Sequence, residues 1–211
     1  MAGERWATFD CYGTLIDWNG GIRRGLAGVF GEEQADELLA RYHELEPELE
    51  ADGSRSYREV LTEAMRLLGA AAGDEDALAR SLPDWQPFPE VPQALREARE
   101  RGWRLAILSN TDRDYIDASM AQIGVPFDEA IVASEIGSYK PALGHWRAFE
   151  ERVGRPPEVH VAASLFHDIA PANELGLRSV WINRLGETAG PKPTRELSDL
   201  TELAPTLDEL A

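Results

Sequence analysis

The order of apolar runs and helical periods along this chain predicts an α/β protein, a doubly wound parallel sheet with a helical cap inserted after strand 1. Three observations carry that expectation. Short apolar runs recur at 6–9, 105–108, 130–133, 159–163 and 179–183, and from about residue 91 onward helical segments separate them. A long stretch from Asp17 to about Glu90 has helical periodicity and no convincing strand. An acidic residue, Asp10, stands where the first strand ends, the edge at which open α/β sheets bind ligands.

Trp6 to Phe9 reads as a buried strand, and Gly13-Thr14 lets the backbone turn sharply away after Asp10. Glu32–Glu50 carries Leu38, Leu39, Tyr42, Leu45 and Leu49 at the spacing of one helix face. Ser56–Leu68 repeats the pattern through Tyr57, Val60, Leu61 and Met65, with Gly69 as the stop. Asp74–Leu82 is a shorter helix ended near Pro83, and Pro87-Phe88-Pro89 reads as a linker. Val91–Arg101 is a helix closed by Gly102. The run Leu105-Ala106-Ile107-Leu108 suits a strand buried on both faces. Helices follow at Asp112–Ile123, Ala142–Val153 and Asp168–Leu175, with strands at Ala130–Ala133, Val159–Ala163 and Ser179–Asn183 between and after them. The tail from Gly186 reads as loop with a last helix near Leu207. The predicted division is therefore 1–16 and 91–211 for the sheet domain and 17–90 for the cap.

Composition narrows the function classes. The chain has 211 residues, 43% of them hydrophobic, enough for a real core. Its net charge of -17 opposes binding to nucleic acid or anionic membranes. No apolar run approaches the ~20 residues of a membrane span, and no signal segment is evident, so a cytoplasmic location is expected. One cysteine, Cys11, excludes an internal disulfide and a cysteine-based zinc site. Arginine is used almost everywhere; the two lysines are Lys140 and Lys192. Lys140 lies in Gly-Ser-Tyr-Lys-Pro between a strand and a helix, and a compact cation retained in an arginine-biased chain points to chemistry.

Four polar segments fall at strand ends: Asp10, Ser109-Asn110, Lys140 and Asp168. A doubly wound sheet gathers such positions into one crevice. With the motifs Asp10-x-Tyr-Gly-Thr-Leu-x-Asp, Leu108-Ser109-Asn110, Tyr139-Lys140-Pro141 and Asp168 ahead of Gly176, the sequence resembles the haloacid dehalogenase superfamily over almost its whole length. It looks most like the type II L-2-haloacid dehalogenases, which carry Tyr where the phosphatases carry a second Asp. The ending Val180-Trp181-Ile182-Asn183-Arg184 is also similar to that branch.

The resemblance implies a catalytic set of Asp10, Thr14, Arg41, Ser109, Lys140 and Asp168. Asp10 attacks a carbon that bears a leaving group and forms an aspartyl ester, which water then opens. Lys140 stabilises the Asp10 carboxylate by charge pairing, and Asp168 orients Lys140 or the water. Arg41, on the cap helix, receives the departing halide. The substrate-binding positions are Cys11 and Tyr12 with their backbone N–H groups, Asn110 and His167, the last a candidate base. The implied substrate is a small anionic halogenated carboxylic acid, with a homodimer as the assembly.

Tyr12 weighs against phosphoryl transfer, because a phenol with pKa ~10 is a poor proton donor and a halide needs none. Ala163 stands where a magnesium site would have its second acid, so no metal and no cofactor is expected. Ala163 and Leu165 also depart from the Ser-Ser-Asn pattern of the dehalogenases. The alternatives are a phosphatase acting on a small phosphate ester and a catalytically weak binding protein on the same fold.

Overall fold

The computed structural model describes residues 4–51, 53–188 and 190–211; residues 1–3 of the expected sheet domain lie outside that set. Six strands form one sheet: β1 (Arg5–Phe9), β2 (Trp103–Ser109), β3 (Glu129–Val132), β4 (Val159–Ala162), β5 (Arg178–Ile182) and β6 (Arg195–Leu197). Their order is β3-β2-β1-β4-β5-β6, and every pairing is parallel. The α/β doubly wound expectation therefore holds.

The period of two within each strand sends alternate residues to opposite faces. Phe9, Leu105, Ile107 and Val161 join the larger apolar core on one face. Trp6, Ala106, Leu108 and Ile131 join Trp146 and Phe149 in a smaller core on the other. Helix α5 (Val91–Glu100) and a C-terminal helix (Leu203–Leu210) cover the first face through Leu95, Leu203 and Leu207. The helix Gly144–Val153 covers the second. Strands buried on both sides explain why their sequences read as unbroken apolar runs.

Strand β1 lies between β2 and β4, so the chain proceeds from it first to one side of the sheet and later to the other. Its carboxyl end is thus the point at which an open α/β sheet parts its loops into a crevice. Asp10 follows β1 directly. Three residues on, Gly13 has φ +84°, a left-handed conformation that suits glycine, and its N–H donates to the Ile16 carbonyl at 2.9 Å.

Among the described residues, four helices stand between β1 and α5: α1 (Trp18–Phe30), α2 (Ala35–Glu50), α3 (Tyr57–Leu67) and α4 (Ala77–Ser81), the last running into a single 3-10 turn. Asp17 caps α1 by accepting from Gly20 N at 3.0 Å. Ser56 and Glu59 form a reciprocal capping box at the start of α3. The block leaves and rejoins the sheet through two paired segments. Asp17 N donates to Gln86 O at 2.9 Å, Phe88 N to Leu15 O at 3.0 Å, and Ile16 bridges Pro87. Arg184, just past β5, clamps this junction by donating to Thr14 O at 2.9 Å and Glu90 at 2.7 Å while lying over the Phe88 ring.

Three features differ from expectation. The helix α1 is a separate element inside the stretch read only as helical. The last strand, β6, lies in the tail read as loop; its Arg-Glu-Leu is a mostly exposed edge with no apolar run to betray it. The turn that carries Asp168 begins earlier than expected, as a π-helical turn from Leu165 to Ile169, and continues into a short helix, Ala170–Glu174. Among the described residues no helix is long and apolar enough to cross a membrane.

Gly21 of α1 is packed so closely that a Cβ would lie 2.3 Å from the buried Trp85 ring. Alanine ordinarily favours a helix over glycine by about 1 kcal/mol. Here overpacking reverses the sign: Gly21→Ala is expected to lower stability by about 1–3 kcal/mol, read as a fall in the thermal unfolding midpoint.

Candidate active site

Asp10 sits at the floor of a cavity of about 270 Å3 that opens between the sheet's carboxyl edge and α1–α3. Its two oxygens are held separately. Lys140 Nζ donates to Oδ1 at 2.9 Å, and Thr14 Oγ1 donates to Oδ2 at 2.7 Å. Thr14 in turn accepts from the Ala163 N–H at 2.9 Å, which ties the turn after β1 to the end of β4. The carboxylate is buried except toward the cavity.

Lys140 is the hub. Its ammonium also donates to Asp168 Oδ1 at 2.7 Å and to the Leu108 carbonyl at 2.9 Å, so its three protons have three acceptors. Burial alone would lower the lysine pKa, but the two carboxylates outweigh it and hold the charge more firmly than usual. Burial would likewise raise Asp168; Lys140 and His160 overcome it and keep the carboxyl well below the ordinary range. His160 Nε2 lies 3.0 Å from Asp168 Oδ1, so that nitrogen carries a proton, and Nδ1 meets Thr8 Oγ1 at 2.8 Å. Asn110 places the lysine through its backbone: Lys140 N donates to its Oδ1 at 2.7 Å and its Nδ2 donates to Lys140 O at 2.9 Å.

Ser109 lines the cavity, and its buried Oγ has no hydrogen-bond partner among the described residues. Tyr12 also lines it, its hydroxyl 3.0 Å from Ser119 Oγ and its ring stacked on Tyr57 at 5.9 Å. Burial pushes its phenol well above the usual value, which removes it further from acid–base work at neutral pH. His167 lines the cavity with Nδ1 at 3.2 Å from Ser164 Oγ, and burial lowers its pKa, so the ring is neutral at physiological pH.

The structure thus brings Asp10, Tyr12, Ser109, Asn110, Lys140, His167 and Asp168 to one cavity, with Thr14 directly behind Asp10. Cys11, expected to act through its backbone N–H, has its side chain fully buried in the core and outside the lining, turned away from Asp10. One expected side chain is not there. Arg41 is exposed and absent from the lining. The reason is helical phase: Ala35, Leu38, Tyr42 and Leu49 define the buried face of α2, and a residue one position before Tyr42 lies some 100° around the helix from it.

What that face does present is Glu46 and Glu50, one and two turns after Tyr42, and both line the cavity. Tyr42 and Tyr57 donate to Glu46 Oε1 at 3.1 and 3.3 Å, and Trp18 Nε1 donates to the Tyr57 hydroxyl at 2.8 Å. Burial raises both carboxyls, Glu46 to about 8 with a further push from Glu50, and Glu50 to about 7 with Lys140 offsetting part of the rise. Sequence reasoning missed both, although a carboxylate that continues the buried stripe of a helix was a visible signal.

The model of the haloacid dehalogenase-like hydrolase family matches residues 5–176. An (S)-2-haloacid dehalogenase of Pseudomonas sp. (strain YL) is 32% identical, over 91% of this chain and 89% of the relative. (S)-2-haloacid dehalogenase 4A of Burkholderia cepacia is 27% identical, over 98% of this chain and 93% of the relative. The structure of L-2-haloacid dehalogenase from Xanthobacter autotrophicus superposes with a TM-score of 0.85 at 20% identity, covering 99% of this chain and 100% of that one, a likeness of fold.

The Glu46–Glu50 pair makes stability depend on pH. An unfolded glutamate titrates near 4.5, so between there and about 8 the folded protein holds a proton that the unfolded chain has released, and stability falls as pH rises. Glu46→Gln removes that cost. It is expected to leave the unfolding midpoint nearly unchanged at about pH 5 and to stabilise by about 1–2 kcal/mol at about pH 8, roughly a 5 °C rise in Tm by calorimetry.

Proposed function

Because the chain belongs to the haloacid dehalogenase-like hydrolase family, we propose that it displaces halide from the second carbon of a 2-halocarboxylic acid and releases the 2-hydroxy acid, with Asp10 as nucleophile and without a metal ion. The observation that carries this reading is the Asp10 carboxylate, pinned by Lys140 and Thr14 at the floor of the cavity, with Tyr12 rather than a second acid beside it. The (S)-2-haloacid dehalogenases similar to this chain supply the substrate class.

In the first step an Asp10 oxygen attacks the halogen-bearing carbon from behind. The C–O bond forms as the C–X bond breaks, halide leaves with the bonding pair, and the carbon inverts. Holding the carboxylate rigidly removes the orientational cost of that attack. The Ser109 hydroxyl, buried and free to bond, supports the substrate carboxylate. In the second step water attacks the Asp10 carbonyl carbon, the ester bond to Asp10 breaks, and the hydroxy acid keeps an oxygen that began on Asp10. Of the water's two protons, one passes to the departing alkoxide oxygen of the product and the other to neutral His167, the base that lines the cavity. Lys140 and Asp168 keep their charges throughout.

A metal-free reaction fits the donor set. Ala163 stands at the end of β4 where a second acid would be needed, and among the described residues no three His, Cys, Asp or Glu side chains converge as metal ligands.

The test is chloride release from 2-chloropropionate in the presence of EDTA. Activity is expected there and is expected to drop by about 1,000-fold or more in Asp10→Asn. A single turnover in heavy-oxygen water should place the label in the Asp10 carboxylate; label found only in the product, or turnover of a phosphate ester with magnesium and of no 2-haloacid, overturns the reading. His167→Gln should slow ester opening more than ester formation, so that the covalent intermediate accumulates in rapid-quench mass spectrometry.

A further inference from the structure

We propose that the cavity over Asp10 takes a substrate whose far end carries an organic ammonium group, and that Glu46 and Glu50 are the residues that select it. The proposal rests on the displacement reaction above for the carboxylate end of the substrate and names what the opposite end must be.

The charge census of the cavity is one-sided. Asp10, Asp168, Glu46 and Glu50 contribute four carboxyl groups to its wall. Among the described residues that line it, Lys140 is the one permanent cation, and its ammonium is already bonded to Asp10, Asp168 and Leu108 O. His167 is held neutral by burial, and Arg41 is exposed and outside the lining. Even with the glutamate pair holding protons, Asp10 and Asp168 outnumber Lys140 by one charge, so a short haloacid with no charge but its own carboxylate meets a surplus of its own sign. An added cation on the α2 side removes that mismatch.

The acidic pair is also built as a receptor. Two buried tyrosines, Tyr42 and Tyr57, hold Glu46 through Oε1. Glu50 follows one turn later on the same face. Tyr12, Trp18 and Tyr57 line the same space, and aromatic rings beside carboxylates are the surroundings in which organic ammonium groups bind. Independently of the acids, Ser109 lines the cavity and its buried Oγ has no partner, so the sheet side of the cavity holds an unused donor for a carboxylate. Glu50, Lys140 and His167 also border a wider groove of about 660 Å3 alongside α2, which gives a longer substituent room to extend past Glu50. Burial raises both glutamates, and a cation beside them takes the place of the proton the pair otherwise retains.

The experiment compares two product-like ligands by calorimetric titration at neutral pH, 4-amino-2-hydroxybutanoate and 2-hydroxybutanoate. The ammonium ligand is expected to bind the wild-type protein at least about tenfold more tightly, and Glu46→Gln with Glu50→Gln is expected to erase the difference while the fold survives. Equal or tighter binding of 2-hydroxybutanoate, or an unchanged ratio in the double variant, overturns the proposal. Halide release from 2-chloropropionate and 4-amino-2-chlorobutanoate, corrected for uncatalysed ring closure, separates it from the reading it rests on. Glutamate-dependent binding without halide release from either acid discards the displacement reaction and leaves the ammonium site standing. Release from both acids with equal kcat/KM discards the ammonium site and leaves the reaction.

Discussion

A single buried ammonium group, that of Lys140, is the constraint around which the rest is arranged. Two carboxylates and a carbonyl within hydrogen-bond distance leave it fully coordinated and almost wholly buried. Removing one member of such a cluster strands the others as buried uncompensated charge, a far larger cost than loss of one surface pair. The three acceptors come from different parts of the chain: Asp10 after β1, Leu108 in β2 and Asp168 after β4. The same contacts that neutralise the lysine therefore fix the relative height of three strand ends. Asn110 and His160 complete the cage, Asn110 holding the lysine backbone and His160 sharing Asp168 Oδ1 with the ammonium. Nucleophile placement and sheet packing are one problem with one solution.

Much of this was legible in the chain before any coordinates. The inner strands announce themselves because both their faces are buried, and apolar runs such as 105–108 leave little choice of assignment. Asp10 was readable for the complementary reason, a polar group stranded at the limit of an apolar run, and Lys140 as a lysine retained in an arginine-biased chain. The edge strand β6 was not, because three residues with mostly exposed side chains carry no pattern of burial. The site's upper wall failed for a different cause. Arg41 was placed by a motif, and a motif fixes residue order but not the rotation of a helix about its own axis. Glu46 and Glu50 were passed over because charges on a helix are normally solvated, and only the phase set by Tyr42 and Leu49 reveals that these two are not.

The lower and upper walls of the cavity obey opposite electrostatic rules. Below, every charge has a close partner of opposite sign, and Lys140 and Asp168 are held in their ionised forms. Above, two like groups share a face with neutral hydroxyls and indole, and burial drives them toward their protonated forms. The lower wall changes little with its surroundings, while the upper wall responds to whatever charge is brought beside it. Chemistry on the first and discrimination on the second is a division of labour that the geometry makes available.

The paired junction at Ile16 and Pro87 has a consequence for how such a chain can change. The backbone that departs after β1 comes back within hydrogen-bonding distance of where it left, at Asp17 with Gln86 and at Leu15 with Phe88. To the sheet, everything between is one long loop whose two ends already touch, and insertions tolerate exchange best at such places. The helices over the crevice are thus interchangeable in principle without rerouting a single strand. An ancestral core of this kind keeps its reaction while the block above it is traded, shortened or resurfaced, and substrate range becomes the part of the molecule most free to drift.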